Sequence, residues 1–256
     1  MTANKNDLDS FENQAQPVDK EKTAAFWNAF YSESDYTGAI MSSVLADALN
    51  YFGNLDGKSL LEIGCGPGGS AFFFASKGAN VVGIDLSTSA INSLTTVCAE
   101  RGISNVRGIC GSVLELDGLE PVDFIFGSMI LHHIEPFDRL ARQLRRLLKP
   151  GGKAFFYENN AASRTLVWFR QNIIGHLWIP KYGDPEEFPL TPQEVDELRR
   201  YFRVEAIYPE MLFFSLASTY LLKGRFGKSL SALDRFFYRK RWLLRYSYRQ
   251  CLLIQG

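Results

Sequence analysis

Three groups of residues in this 256-residue chain have the types and spacing of a working site. The first is the run Leu60-Leu61-Glu62-Ile63-Gly64-Cys65-Gly66-Pro67-Gly68-Gly69, where an apolar strand pattern gives way to glycines and then to a helical pattern. Glycine at positions 64 and 66 lets main chain approach a ligand with no Cβ in the way, and the N–H groups at the next helix start favour a carboxylate or phosphate. The second is Asp85, which closes the following apolar strand (VVGIDLS) 17 positions after Gly68. A carboxylate there can accept both hydroxyls of a ribose lying over the loop. A plain strand–helix turn and a helix cap are the ordinary explanations of these features, although Ser87 competes with Asp85 for the cap. Gly64-x-Gly66-x-x-Gly69 also satisfies the dinucleotide fingerprint, so the loop by itself leaves a hydride carrier and another adenosyl ligand open. The third group is the adjacent pair His132 and His133, just beyond the fourth strand pattern. Imidazole, with an ordinary pKa of about 6.5, suits proton removal from a hydroxyl near neutrality. Capping of the helix at Pro136 is the alternative role, and neighbouring side chains diverge, so at most one of the two faces a substrate.

These groups require a scaffold that gathers strand ends. From Lys58 onward short apolar runs alternate with helical patterns: 59–63, 80–85, 105–110, 122–127 and 153–158 as strands, with helices running to Lys77, from Ser87 to about Arg101, and from Pro136 to Leu148. Continuous apolar strands separated by crossover-length helices are the sequence form of an α/β fold, a parallel sheet covered on both faces. Upstream, residues 1–22 are polar and read as a disordered leader. Phe26, Trp27, Phe30 and Tyr31 then mark a helix, and Ile40, Val44, Leu45 and Leu49 mark another over about 37–52. Residues 159–191, rich in Trp, Pro and Gly, are long for a plain loop and read as a lid or substrate insertion. Thr191-Pro192-Gln193-Glu194 starts a helix with a capping box. Residues 203–208 and 249–255 are the last strands. The expectation is one domain over 23–256: a helical cap (23–57), a cofactor half (58–158), the insertion (159–191) and C-terminal helices and strands (192–256).

Composition narrows the classes. Apolar residues make up 46% and charged residues 22%, which excludes a wholly disordered, coiled-coil or collagen-like chain. Twenty-eight basic residues balance 28 acidic ones, so no global field draws the chain to nucleic acid. The four cysteines, Cys65, Cys98, Cys110 and Cys251, form no C-x-x-C pair and no metal spacing with histidine, which fits a reducing cytoplasm with no metal site. The N-terminal residues lack the pattern of a signal or transit peptide, and the longest apolar run, Met211–Leu222, falls short of the ~20 residues of a membrane span. A soluble, cytoplasmic protein is the expectation. Charge is uneven, however: Lys223 to Arg249 holds nine basic residues against one acid, Asp234, interleaved with Leu, Phe, Trp and Tyr. A solvated basic face explains this, as does an anionic membrane or a lipid-linked substrate; nucleic acid is the weakest fit.

Taken together, LEIGCGPGG (61–69), VVGIDLS (81–87), VDFIFGSMILHHI (122–134) and LRRLLKPGGKAFFYE (144–158) resemble the class I S-adenosylmethionine-dependent methyltransferases, in the branch that contains the ubiquinone and menaquinone biosynthesis enzymes. The KPGG turn before the fifth strand favours S-adenosylmethionine over NAD. The resemblance implies a Rossmann-like, seven-stranded, mostly parallel sheet whose antiparallel last strand lies beside the sixth. It implies that Glu62, Gly64, Cys65, Gly66 and Gly68 surround the methionine end of the cofactor, that Asp85 holds the ribose and Leu86 packs on the adenine, with Gly127 among the contacts. Cys65 reads as a packing residue. The family commonly carries an Asp after the third strand to accept the adenine amino group; Ser112 stands there instead, where its hydroxyl can accept and the Val113 N–H can donate. His133, ahead of His132, is the candidate base. Tyr31 and Tyr36 lie where the family's N-terminal helices close over the cofactor, and Trp168, His176, Trp178 and Tyr182 would line the substrate entrance. The implied reaction is O-methylation of a hydroxyl on a small secondary-metabolite, sugar or lipid-like acceptor. C-methylation of a quinone or phenol ring is the alternative, and a non-catalytic cofactor-binding module a third.

Overall fold

The computed structural model describes residues 20–33, 42–172, 188–208, 214–222 and 225–256. Two helices, α1 (Lys20–Glu33) and α2 (Ser42–Phe52), precede an alternation of β1 (Ser59–Ile63), α3 (Gly69–Ala75), β2 (Asn80–Asp85), α4 (Thr88–Arg101), β3 (Val106–Cys110), β4 (Val122–Ser128), α5 (Phe137–Leu147) and β5 (Leu148–Asn159). Then come α6 (Arg164–Asn172), α7 (Pro192–Arg199), β6 (Arg203–Ile207), α8 (Phe214–Leu221), α9 (Gly227–Tyr238), α10 (Arg241–Leu244) and β7 (Arg249–Gln255). The seven strands form one sheet in the order β3-β2-β1-β4-β5-β7-β6. β1 to β5 run parallel, and β7 is antiparallel to both its neighbours, β5 and β6. This is the expected doubly wound architecture.

Side chains alternate across the sheet, so each strand feeds two cores. Leu61, Ile125, Phe156 and Leu252 point to the face covered by α5 and α7, while Leu60, Phe124, Phe126 and Phe155 point to the face covered by α2, α3 and α4. α2 buries Val44, Leu45, Ala48 and Phe52 on that second face. It is therefore part of the core layer, and α1 is the described part of the expected cap that lies over the strand ends. α1 also begins at Lys20, so the last three residues of the expected leader are helical; residues 1–19 lie outside the described residues.

β5 starts five residues earlier than its apolar pattern indicates. Leu148 pairs with Val122, residues 149–152 loop out, and pairing resumes with Lys153 opposite Phe124. The loop is tight: a Cβ added at Gly152 would fall 2.9 Å from the carbonyl oxygens of both Asp123 and Lys149. Gly152→Ala should cost about 1–3 kcal/mol, because two backbone groups rather than flexible side-chain ends must yield. Urea unfolding measures it; an unchanged midpoint would mean that the turn relaxes freely.

The insertion after β5 is pinned at its base by a bridge between Asn160 and Leu190, and the Asn160 amide donates to the carbonyls of Arg245 and Ser247, each at 2.9 Å. Trp168 on α6 is exposed. His176, Trp178 and Tyr182, like Tyr36 upstream, lie outside the described residues. Among the described residues no helix is long and apolar enough to cross a membrane.

Candidate active site

The strand order reverses between β1 and β4, the place where sheets of this kind bind ligands at the carboxyl ends of their strands. The glycine loop leaves β1 at that point. Gly64 and Cys65 donate their N–H groups to the Ile84 carbonyl at 2.8 and 3.2 Å, which draws the loop against β2. Gly64 and Gly66 have φ of +69° and +50°, the left-handed region that disfavours a side chain, and a Cβ at Gly66 would lie 2.9 Å from the Tyr31 hydroxyl. Gly68 provides the N-cap of α3.

Asp85 ends β2 with its carboxylate turned over this loop. Its Oδ2 accepts from the Gly66 N–H at 2.9 Å and its Oδ1 from the Ser87 N–H at 2.8 Å. Ser87 is the α4 cap, accepting from Ala90 N, so the capping role does not account for Asp85. Burial pushes the Asp85 carboxyl above the ordinary carboxylate range, against the two N–H donors that hold it down.

Glu62 lies behind the loop, 1% exposed. The Ser70 hydroxyl donates to its Oε1, whereas Oε2 is buried with no hydrogen-bond partner. Burial, opposed by the Ser70 hydrogen bond and reinforced by the Asp85 charge, raises its pKa from 4.5 to about 8. A buried acceptor of this kind suits a cationic group. Cys65 is buried, and burial together with the Glu62 and Asp85 charges pushes its thiol well above the ordinary range. Its sulfur sits where a Cβ at Gly83 would fall, at 2.7 Å. Both facts describe packing, and neither describes a nucleophile.

At the end of β3 the Ser112 hydroxyl oxygen accepts from Leu114 N at 3.3 Å and caps a short 3₁₀ turn, Val113–Glu115. Val113 is buried and Leu86 partly so. Gly127 in β4 has a reason of its own: a Cβ there would lie 2.7 Å from Ile130 Cγ2 and 2.8 Å from Phe156 Cδ1, so core packing alone demands glycine.

The β4 end carries the histidines on a strained turn. Met129 has φ +56°, unusual for a side-chain-bearing residue, and donates its N–H to the Tyr157 carbonyl at 2.7 Å. Glu158, fully buried at the end of β5, fixes residues 130–132: its Oε1 accepts from the N–H groups of Ile130 and Leu131 at 2.9 and 2.8 Å, and its Oε2 accepts from His132 Nδ1 at 2.5 Å. His132 is thereby committed to the interior. His133 is only partly buried and lies edge-on to Trp27 of α1, with ring centres 6.1 Å apart. The two rings do not diverge as expected of adjacent side chains: their centres are 4.2 Å apart at a tilt of 38°, because the tight 131–133 turn folds His133 back against His132.

α1 closes over this edge. Trp27 faces His133, Tyr31 rests on Gly66, and Asn28 Oδ1 accepts from the Ser87 hydroxyl at 2.9 Å. The loop, the Asp85–Ser87 corner and His133 thus all border one helix, with Glu62 behind the loop. Glu158 went unassigned in the sequence, although an acid closing an otherwise apolar strand (AFFYE) is the same signal that singles out Asp85. Among the described residues no three His, Cys, Asp or Glu side chains are grouped to hold a metal ion.

Residues 60–152 match the family model of a methyltransferase domain. The chain is 28% identical over 151 residues to the ubiquinone biosynthesis O-methyltransferase of Pseudomonas fluorescens (strain SBW25), covering 59% of this chain and 60% of that one. It is 29% identical over 149 residues to the biotin biosynthesis bifunctional protein of Cellvibrio japonicus, covering 57% of this chain and 29% of that one. The chain thus spans less than two thirds of the length of these curated relatives. In fold it is similar to the geranyl diphosphate C-methyltransferase of Streptomyces coelicolor A3(2), solved with Mg2+, geranyl diphosphate and S-adenosyl-L-homocysteine. The TM-score is 0.62 at 16% identity, over 94% of this chain and 98% of that one.

Proposed function

We infer, for a chain whose residues 60–152 match the family model of a methyltransferase domain, transfer of a methyl group from S-adenosylmethionine to a hydroxyl on a small acceptor, a secondary metabolite, sugar or lipid-like molecule. The observation that carries this reading is the Asp85 carboxylate turned over the glycine loop where the strand order reverses. The unpartnered Oε2 of Glu62 supports it, since the cofactor's methionine end brings an ammonium group that needs a buried acceptor.

The cofactor, when bound, supplies an electrophilic methyl on a sulfonium; the chain must bind, align and move one proton. Asp85 would accept the ribose hydroxyls, the 64–68 loop would admit the methionine portion, and Ser112 with Val113 N–H would meet the adenine edge, with Leu86 against its face. His133, beside Trp27 of α1, would take the acceptor proton. Glu158 would act through His132 and the 130–131 amides to fix the turn that presents His133. Trp27 and Tyr31 would keep water from the reacting edge.

Purified protein is to be melted with S-adenosylhomocysteine and, separately, with NAD. Ligand at a hundredfold excess over Kd stabilises by about 2.7 kcal/mol, so the melting temperature should rise with the first and stay put with the second; the reverse would reassign the loop to a hydride carrier. Native mass spectrometry and a panel of phenols, sugars and lipid-like alcohols, read by homocysteine-product release and methyl position, then identify the acceptor and separate O- from C-methylation. No turnover on any of them, with the cofactor bound, would favour a binding module. Asp85→Ala should weaken cofactor binding by about 1–3 kcal/mol, because the ribose and the N–H groups of Gly66 and Ser87 lose their acceptor. Calorimetry showing undiminished affinity would contradict the ribose role.

A further inference from the structure

The C-terminal helices present a feature that methyl transfer does not use. α9 is anchored by one side: Asp234 accepts from Phe214 N at 2.9 Å and Ser215 N at 2.8 Å, and Phe237 stacks on Phe214 with ring centres 5.5 Å apart. The other side stays open. At about 100° per residue, Phe226 at the N-cap, Leu233 and Phe236 fall on one strip, an arc of about 80° that borders the anchoring Phe237, and they are 70%, 42% and 58% exposed. Beside that strip, on the flank away from the anchor, the same spacing sets Lys228, Arg235 and Arg239 in a second exposed row. Trp242, 67% exposed, comes next on α10. The only acid between residues 223 and 249 is Asp234, which is buried, so this segment contributes apolar groups and positive charge to the face and no exposed acid.

We propose that the outward face of α9 and α10 docks on an anionic lipid bilayer. An apolar strip flanked by basic side chains lies naturally at the headgroup boundary, where Phe, Leu and Trp enter the acyl edge and Lys and Arg meet acidic headgroups. Charge complementarity selects the anionic surface, and the aliphatic Leu233 between two phenylalanines suits hydrocarbon better than stacked bases. The inference is independent of the methyl-transfer reading.

The full chain is to be sedimented with sucrose-loaded phosphatidylcholine vesicles, with and without about 30 mol% phosphatidylglycerol. The pelleted fraction should be at least several-fold higher on the anionic vesicles and should fall several-fold in high salt, as screened charges require. F236S/W242S and R235E/R239E should each cut anionic binding about tenfold or more while the melting temperature and S-adenosylhomocysteine binding stay at parent values. Equal pelleting on both vesicle types, or variants that pellet like the parent, would overturn the proposal. So would a lipid-free dimer, seen by sedimentation velocity, that F236S/W242S dissolves, which would make the face a self-association surface. Oligouridylate that binds in place of the vesicles and is lost in the same variants would assign it to nucleic acid.

Discussion

His133→Ala should lower turnover by about 10²–10⁴-fold and leave cofactor affinity unchanged. The split comes from position. His133 packs against Trp27 and makes none of the hydrogen bonds that hold Asp85 on the glycine loop, so on the proposed reading its loss removes proton transfer and spares the grip on the cofactor. His132 is the instructive control. Its Nδ1 is held by buried Glu158, so His132→Ala leaves a buried carboxylate with one oxygen unserved and should appear first as lost stability. In pH–rate profiles with the acceptor found on the panel, the parent should show an ascending limb that His133→Ala lacks. Glu158→Gln should keep that limb while lowering its plateau, as expected of a residue that only positions the turn. A variant that turns over at the parent rate would remove His133 from the chemistry.

The second large effect is a proton. Burial lifts Glu62 from 4.5 to about 8, so in the folded chain it stays protonated through a range in which the unfolded chain releases it. A raised folded pKa contributes stability that is fully present below about pH 4.5 and is lost as the pH climbs through 8. Measured against Glu62→Gln, whose amide does not titrate, the ligand-free parent should lose on the order of 4 kcal/mol between those limits. Parallel thermal melts across this pH range test it; a constant gap between the two proteins would show that Glu62 ionises normally. Cofactor binding should reverse the protonation, because an ammonium partner favours the carboxylate. Calorimetry at neutral pH in buffers of different ionisation heat should therefore detect release of up to one proton in the parent and none in Glu62→Gln.

The parts of this molecule governed by local pattern were readable in the chain. Asp85 and the glycine loop announce themselves because both sit where an apolar run stops, and the sheet is implied by five such runs. What escaped depends on contacts between distant segments. Glu158 meets His132 across 26 positions of sequence, and its role needs β4 and β5 side by side in parallel. The helical pattern of Val44, Leu45 and Ala48 gives a buried face without saying whether it covers the sheet or the strand ends, and α2 covers the sheet. Gly127 fits a ligand contact by its place in β4, yet Ile130 and Phe156 already leave no room for a Cβ. The early start of β5 is a register effect, invisible until Leu148 finds Val122.

The place of β7 in the sheet has a consequence for biosynthesis. It is the last strand in chain order, yet it runs between β5 and β6, pairing Glu158 with Gln250 and Val204 with Ile254. While a ribosome is still translating residues 208–248, β5 has a bare edge beside the acid that anchors the histidine turn, and β6 has no neighbour to join. The edge that carries Glu158 and borders the histidine turn is finished only when residues 249–255 emerge. A nascent chain stalled before that stretch should therefore leave the β5 edge unpaired, which faster amide exchange at residues 153–159 would reveal.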